Sequence, residues 1–257
     1  MEPSSTASKS HPAIPIAIVL GFTMIAIAIF FTGERKADAP AAVTTASSTT
    51  LSSTPRQIDG SDYIKGNPNA PILMIEYSDY DCPFCKQYHE TLNRIMDEYG
   101  VTGRVAWVYR QFPIGQLHPN SPKISEAALC VGDIGGNDAF WKFSESVFSK
   151  REIDEPTNTL NLPEYAVEAG VKKEEYISCL ESRRMEGAVK KSVEDAFNIG
   201  ARGTPYTVLM VGNEQAVING AQSYETVRGI IENLLKQLDG NFTPPAQTET
   251  PPADPSN

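Results

Sequence analysis

Ile72-Leu73-Met74-Ile75-Glu76-Tyr77-Ser78-Asp79-Tyr80-Asp81-Cys82-Pro83-Phe84-Cys85 carries a strand pattern into a helix pattern, with two cysteines at the junction. Ile72, Leu73, Met74, Ile75 and Tyr77 form a short apolar run without helical period, bounded by Pro71 and by Asp79 and Asp81, as a buried strand is. From Phe84 the period changes. Phe84, Tyr88, Leu92, Ile95 and Tyr99 recur at steps of three and four, and Gly100 supplies a stop. Cys82 therefore falls at a helix N-terminus, where unpaired N–H groups and the helix dipole lower a thiol pKa from about 8.5 toward 7 or below. The expectation is a redox-active pair, with Cys82 as the exposed nucleophile and Cys85, one turn on and facing inward, as the resolving thiol. A structural bridge or half of a metal site are the competing readings. Tetrahedral zinc needs four ligands, and the chain has no second CxxC and only three histidines, so neither a metal nor another cofactor is expected.

The chain of 257 residues has room for one large domain or two small ones, and its 40% hydrophobic content suffices for a core. A net charge of -10 and a pI near 4.9, without clustered Lys and Arg, argue against nucleic acid as a partner. No charged residue lies between His11 and Gly33, and Ala13 to Phe31 is almost wholly Ile, Ala, Val, Leu and Phe. At ~1.5 Å per residue such a helix spans about 28 Å, close to the hydrocarbon thickness of a bilayer. A cleavable signal peptide ending at Ala37-Asp38-Ala39 and a buried core helix are the rivals. Glu34, Arg35 and Lys36 before that site and Pro40 after it favour an uncleaved single-span anchor over residues 13–32, behind a flank of residues 1–12. Lys9 on one side and Arg35 and Lys36 on the other leave its orientation undecided. Residues 33–58, rich in Ala, Ser, Thr and Pro, read as a flexible linker, and residues 241–257 as a disordered tail.

Within the expected folded part, 59–240, Val105 to Tyr109 reads as a second strand, parallel to the first across a right-handed helical crossover. Helical signals then fill about 121–199. Ser121-Pro122 is the expected N-cap and first helical position, and Gly132, Gly135 and Gly136 the stop. Asn137 caps the next helix, and further helices follow around Pro163 to Glu168, Cys179 and Val193. Strands resume at Tyr206 to Val211 and, after a turn at Gly212-Asn213, at Ala216 to Ile218; a last helix spans Tyr224 to Leu238. The pattern is α/β, a thioredoxin arrangement split by an inserted helical subdomain and preceded by the transmembrane helix.

The segment from Glu76 to Cys85, together with His118-Pro119-Asn120 and Gly203-Thr204-Pro205, resembles the DsbA-type disulfide oxidoreductases of the thioredoxin superfamily. The similarity covers most of Asp59 to Leu238. It departs at Phe84, where well-studied oxidases of the family carry a histidine that helps stabilise the thiolate. The resemblance implies a membrane-tethered enzyme on the extracytoplasmic side, periplasmic or outer, that introduces disulfides into unfolded or reduced proteins. It also implies recharging by a quinone-linked membrane thiol oxidase. An isomerase or reductase of the same fold is the alternative, and a non-catalytic thioredoxin-fold metal carrier a more distant one.

The resemblance makes Thr204-Pro205 a cis peptide facing the dithiol, with the Thr204 backbone free to pair with an extended substrate. It makes Glu76 the buried acid near the second cysteine, with a raised pKa and able to accept the Cys85 proton. Pairing Cys82 with Cys85 leaves Cys130 and Cys179, either as two buried thiols or as a second bridge. Related proteins with such a bridge in the helical region favour a structural disulfide.

Overall fold

The computed structural model describes residues 54–241. The expected anchor at 13–32, nearly all of the linker and the tail beyond 241 lie outside the described residues. Among the described residues no helix is long and apolar enough to cross a membrane.

Five strands form one mixed sheet: β1 (Tyr63–Gly66), β2 (Ile72–Ser78), β3 (Val105–Gln111), β4 (Tyr206–Val211) and β5 (Glu214–Asn219), in the order β1-β3-β2-β4-β5. β2 and β3 run parallel from Ile72 opposite Val105 to Ser78 opposite Gln111, and the other pairs are antiparallel. Helix α1 (Pro83–Ile95) makes the crossover between the parallel strands and ends in a π-helical turn at Met96–Gly100. Between β3 and β4 come α2 (Ser121–Lys150), α3 (Leu162–Glu168), α4 (Lys173–Glu181) and α5 (Glu186–Asn198), and α6 (Tyr224–Asn241) follows β5.

Both faces of the sheet are covered, which is why β3 is buried along its whole length and β2 shows no alternation. On one face Met74, Trp107 and Tyr109 join Cys85, Tyr88, Leu92 and Ile95 of α1, Ile124 and Phe140 of α2, and Val227 and Ile231 of α6. On the other, Ile75, Tyr77 and Val108 pack with Ala196 and Ile199 at the end of α5. Glu76 shares the first face by strand alternation, so the dithiol helix lies over it.

One element is new and three local expectations are corrected. β1 is a strand the sequence did not announce, because Tyr63-Ile64-Lys65-Gly66 is short and mixed in polarity. Asn137 does not cap a helix; its amide bonds the N–H and the carbonyl of Ile64, closing the open edge of β1. Gly132 does not stop α2, which runs on to a break at Gly136 (φ 78°); Gly132 instead makes room for the ring of Tyr63, which a Cβ would strike. Ser121 begins α2 without capping it, and its hydroxyl donates to Asp79.

Candidate active site

Cys82 is the N-cap of α1, extended at φ -69° and ψ 126°, with Pro83 opening the helix. Its N–H donates to the Asp79 carbonyl at 3.2 Å, and its own carbonyl accepts from the Lys86 N–H at 3.2 Å and from Arg151 Nη2 at 3.1 Å. The Cys82 sulfur lies 3.6 Å from the Thr204 carbonyl, and the Thr204-Pro205 peptide is cis. Both cysteines of the pair are free thiols. Cys85 is fully buried, and the Asp79 N–H points at its sulfur from 3.5 Å.

Exposure differs from the sequence reading at two positions. Cys82 is only 4% exposed, because Thr204 and Arg151 pack against it from the β4 side and from the end of α2. Phe84 is the exposed residue of the motif, at 61%, since the first turn of α1 projects beyond the packed stretch that begins at Cys85.

The electrostatics divide the two thiols. Cys82 is lowered from its ordinary value to about 6, chiefly by a hydrogen bond from Cys85; burial opposes this, and Thr204 and the N–H groups of Cys85 and Phe84 assist. Cys85 is pushed well up, first by burial and then by the nearby Cys82 and Glu76 charges. Glu76, fully buried, is raised to about 7 by burial, against the lowering influence of Ser78 and of the Trp107 indole. An acid near neutrality thus sits beside a thiol that resists ionisation.

The structure gathers Cys82, Cys85, Glu76, Thr204 and Pro205 around the start of α1. Cys130 and Cys179 lie apart from this set: they form a fully buried disulfide between α2 and α4, with a Cα–Cα distance of 5.8 Å. A cleft of about 710 Å³ in the insertion, lined by Pro119, Leu160, Tyr176 and Leu180 among others, includes none of these residues.

Sequence reasoning missed three supporting side chains. Asp79, fully buried, accepts from Ser121 Oγ (2.5 Å) and the Asp81 N–H (2.9 Å) on one oxygen, and from the Ile114 N–H (2.7 Å) and His118 Nδ1 (2.9 Å) on the other. Asp81 accepts from the Thr157 N–H at 2.9 Å. Arg151 closes the set at Cys82. The two acids were visible as a pair flanking Tyr80, but nothing local marks Arg151, which lies 69 residues from its partner.

A thioredoxin family model matches residues 59–233, and the chain belongs to that family. Among solved structures, alpha-DsbA1 of Wolbachia pipientis is similar, at 21% identity and TM-score 0.60 over 71% of this chain and 95% of that one. BdbD of Bacillus subtilis in its oxidised form matches at 23% identity and TM-score 0.59, covering 68% and 94% of the two chains. The fold is that of the DsbA-type thiol-disulfide oxidoreductases. A curated relative, the Na(+)/H(+) antiporter NhaA 3 of Salinispora tropica, is 26% identical over 144 residues, 56% of this chain and 21% of the antiporter. The chain spans about a fifth of that relative's length, and antiport is a statement about the relative alone.

Proposed function

We propose that the protein is a membrane-tethered, extracytoplasmic thiol oxidase that passes a Cys82–Cys85 disulfide to reduced or unfolded proteins. The observation that carries this reading is the split of the pair, with Cys82 held at about 6 and Cys85 held high over a buried Glu76. A substrate thiolate attacks Cys82 Sγ of the oxidised pair, the Cys82–Cys85 bond breaks, and Cys85 leaves with the electron pair. Glu76, raised to about 7 and so still about half protonated at neutral pH, gives Cys85 its proton. A second substrate thiolate attacks the substrate sulfur of the mixed disulfide and expels Cys82, a good leaving group because its thiolate is stabilised. The substrate loses two electrons and two protons; the pair gains both electrons, Cys85 keeps the proton from Glu76, Cys82 leaves as a thiolate, and of the two substrate protons released to solvent one returns to Glu76. The Thr204 backbone, beside the sulfur, is placed to hold the substrate as an extended strand.

The apolar stretch at 13–32 supplies the proposed anchor, and a structural Cys130–Cys179 bridge suits an oxidising compartment. A quinone-linked membrane thiol oxidase is the proposed source of oxidising equivalents. Phe84 in the place of histidine favours a second reading, an isomerase or reductase with the same chemistry run at a lower potential. Catalysed oxidation of a reduced model protein by the oxidised chain tests the choice. Rapid, stoichiometric transfer of one disulfide supports the oxidase, while failure to oxidise with ready reduction of disulfides supports the reductase. Bound metal without either activity would instead favour the carrier.

A further inference from the structure

We infer that Arg151, at the end of α2, is a positioning residue that sets a positive charge under Cys82 in place of the one Phe84 cannot supply. The inference rests on the reading of Cys82 as the nucleophile. Arg151 is the C-cap of α2, where the backbone turns from helical to extended (φ -89°, ψ 134°) and carries the side chain inward until it is 6% exposed.

Its hydrogen bonds go to neutral oxygens. Nη2 donates to the Cys82 carbonyl at 3.1 Å, and Nη1 to the carbonyls of Glu152, Ile153 and Glu155 at 3.2, 2.9 and 3.1 Å. Nε is buried with no hydrogen-bond partner. A guanidinium is always charged, and removing it from water is costly unless an opposite charge answers it. Yet among the described residues no carboxylate comes within ion-pair distance of Arg151, unlike Arg110, which is also buried and holds Asp62 and Asp195. The charge is therefore left to act on what surrounds it.

The groups that face Cys82 are few. Cys85 and Lys86 come from α1, Glu76 from β2, Asp79 and Asp81 from the turn between them, and the Thr204 carbonyl from before β4. Lys86 directs its ammonium to the Phe148 carbonyl. Asp79 is saturated by four donors, with His118 among them. Asp81 is held by Thr157 through one oxygen, leaving the other buried and unbonded. Burial pulls Arg151 below its ordinary pKa, opposed by Asp81, Cys82, Cys85 and Asp79 in that order. When Cys82 is a thiolate, its charge adds to those of Asp81 and Asp79 in answering Arg151. The thiolate, and with it the reduced enzyme, is stabilised.

The test compares the full chain with Arg151→Met, Arg151→Lys and Asp81→Asn. The readouts are the pH midpoint of Cys82 alkylation and the equilibrium potential against glutathione. Arg151→Met is expected to cut the thiolate fraction below the midpoint at least tenfold and to lower the potential correspondingly, by about 30 mV for a two-electron couple. Arg151→Lys, which keeps the charge, should retain most of both values. Asp81→Asn, which removes an opposing charge, should shift the midpoint down. A folded Arg151→Met with midpoint and potential unchanged overturns the inference, whatever its melting temperature, because tying carbonyls together is then the whole role. If Arg151→Met does not fold, Arg151→Gln, whose amide can still donate to the Cys82 carbonyl, decides: a raised midpoint supports the inference and an unmoved one overturns it. Failure of the underlying functional reading is separately visible, as a wild-type Cys82 that shows no preferential alkylation at neutral pH.

Discussion

Trp107 donates its indole N–H to Glu76 Oε2 at 2.9 Å, across the neighbouring parallel strands β3 and β2. The register sets Glu76 opposite Tyr109, so Trp107, two residues back, lies on the same face and reaches forward to the carboxyl. One oxygen is thereby fixed, while Oε1 stays buried without a hydrogen bond. A carboxyl so placed is poorly solvated as an anion, which is why it rises to about 7 rather than staying near 4.5.

The raised carboxyl makes stability depend on pH. Between about 4.5 and 7 the folded chain keeps a proton that the unfolded chain has lost, so this contribution is fully present at low pH and is lost as pH rises through 7. Glu76→Gln removes the dependence. The variant should be more stable than wild type by about 3 kcal/mol at pH 8, with little gain at pH 4, since a tenfold change in proton affinity is worth about 1.4 kcal/mol. Denaturant unfolding of the reduced proteins at the two pH values measures it, and an equal effect at both would refute a buried, proton-holding Glu76.

The two thiols should separate by substitution. Cys82→Ser abolishes exchange with the fold intact, because it removes the nucleophile and little volume. Cys85→Ser accumulates mixed disulfides, because attack at Cys82 continues without an internal thiol to resolve it. In wild type, one thiol should alkylate with a midpoint of about 6 and the other remain silent under native conditions. Mass mapping of the adduct to Cys85 would invert the assignment.

Replacing both Cys130 and Cys179 with serine should lower stability by about 2 to 4 kcal/mol through the loss of a native cross-link. Exchange by the folded variant should continue at the wild-type rate. A folded variant without exchange would make the helical pair part of the redox relay.

The sequence carried its central stretch well because strand, helix and dithiol are contiguous there. Ile72 to Tyr77, the helix from Cys82 onward and the parallel return at Val105 are set by short-range period and by the punctuation of Pro and Gly. What escaped depends on distance along the chain. Asn137 closes the edge of β1 from the middle of α2, and Arg151 reaches Cys82 from its end; neither has a local partner to betray it. The same holds on the far face of the sheet. There Arg110 bonds Asp62 at 3.0 Å and Asp195 at 2.9 Å, Arg56 bonds Asp62 at 2.6 Å, and Tyr77 donates to Asp195.

This far-side network gives a prediction of its own. Asp62→Asn leaves Arg110, buried and charged, with a weakened partner, and should destabilise the chain by about 3 to 5 kcal/mol while leaving the Cys82 alkylation midpoint where it was. Thermal unfolding and alkylation on the same samples check both halves. A shifted midpoint would mean that the two faces of the sheet are coupled.

The equilibrium reduction potential of the Cys82–Cys85 pair, measured against glutathione buffers on the full chain, bears most directly on the oxidase. A stabilised Cys82 thiolate beside a buried Cys85 favours the reduced form, and the expected potential lies at or above roughly -180 mV, in the range of disulfide-donating proteins. A value of about -270 mV, like that of thioredoxin, would contradict it and make the protein a reductant.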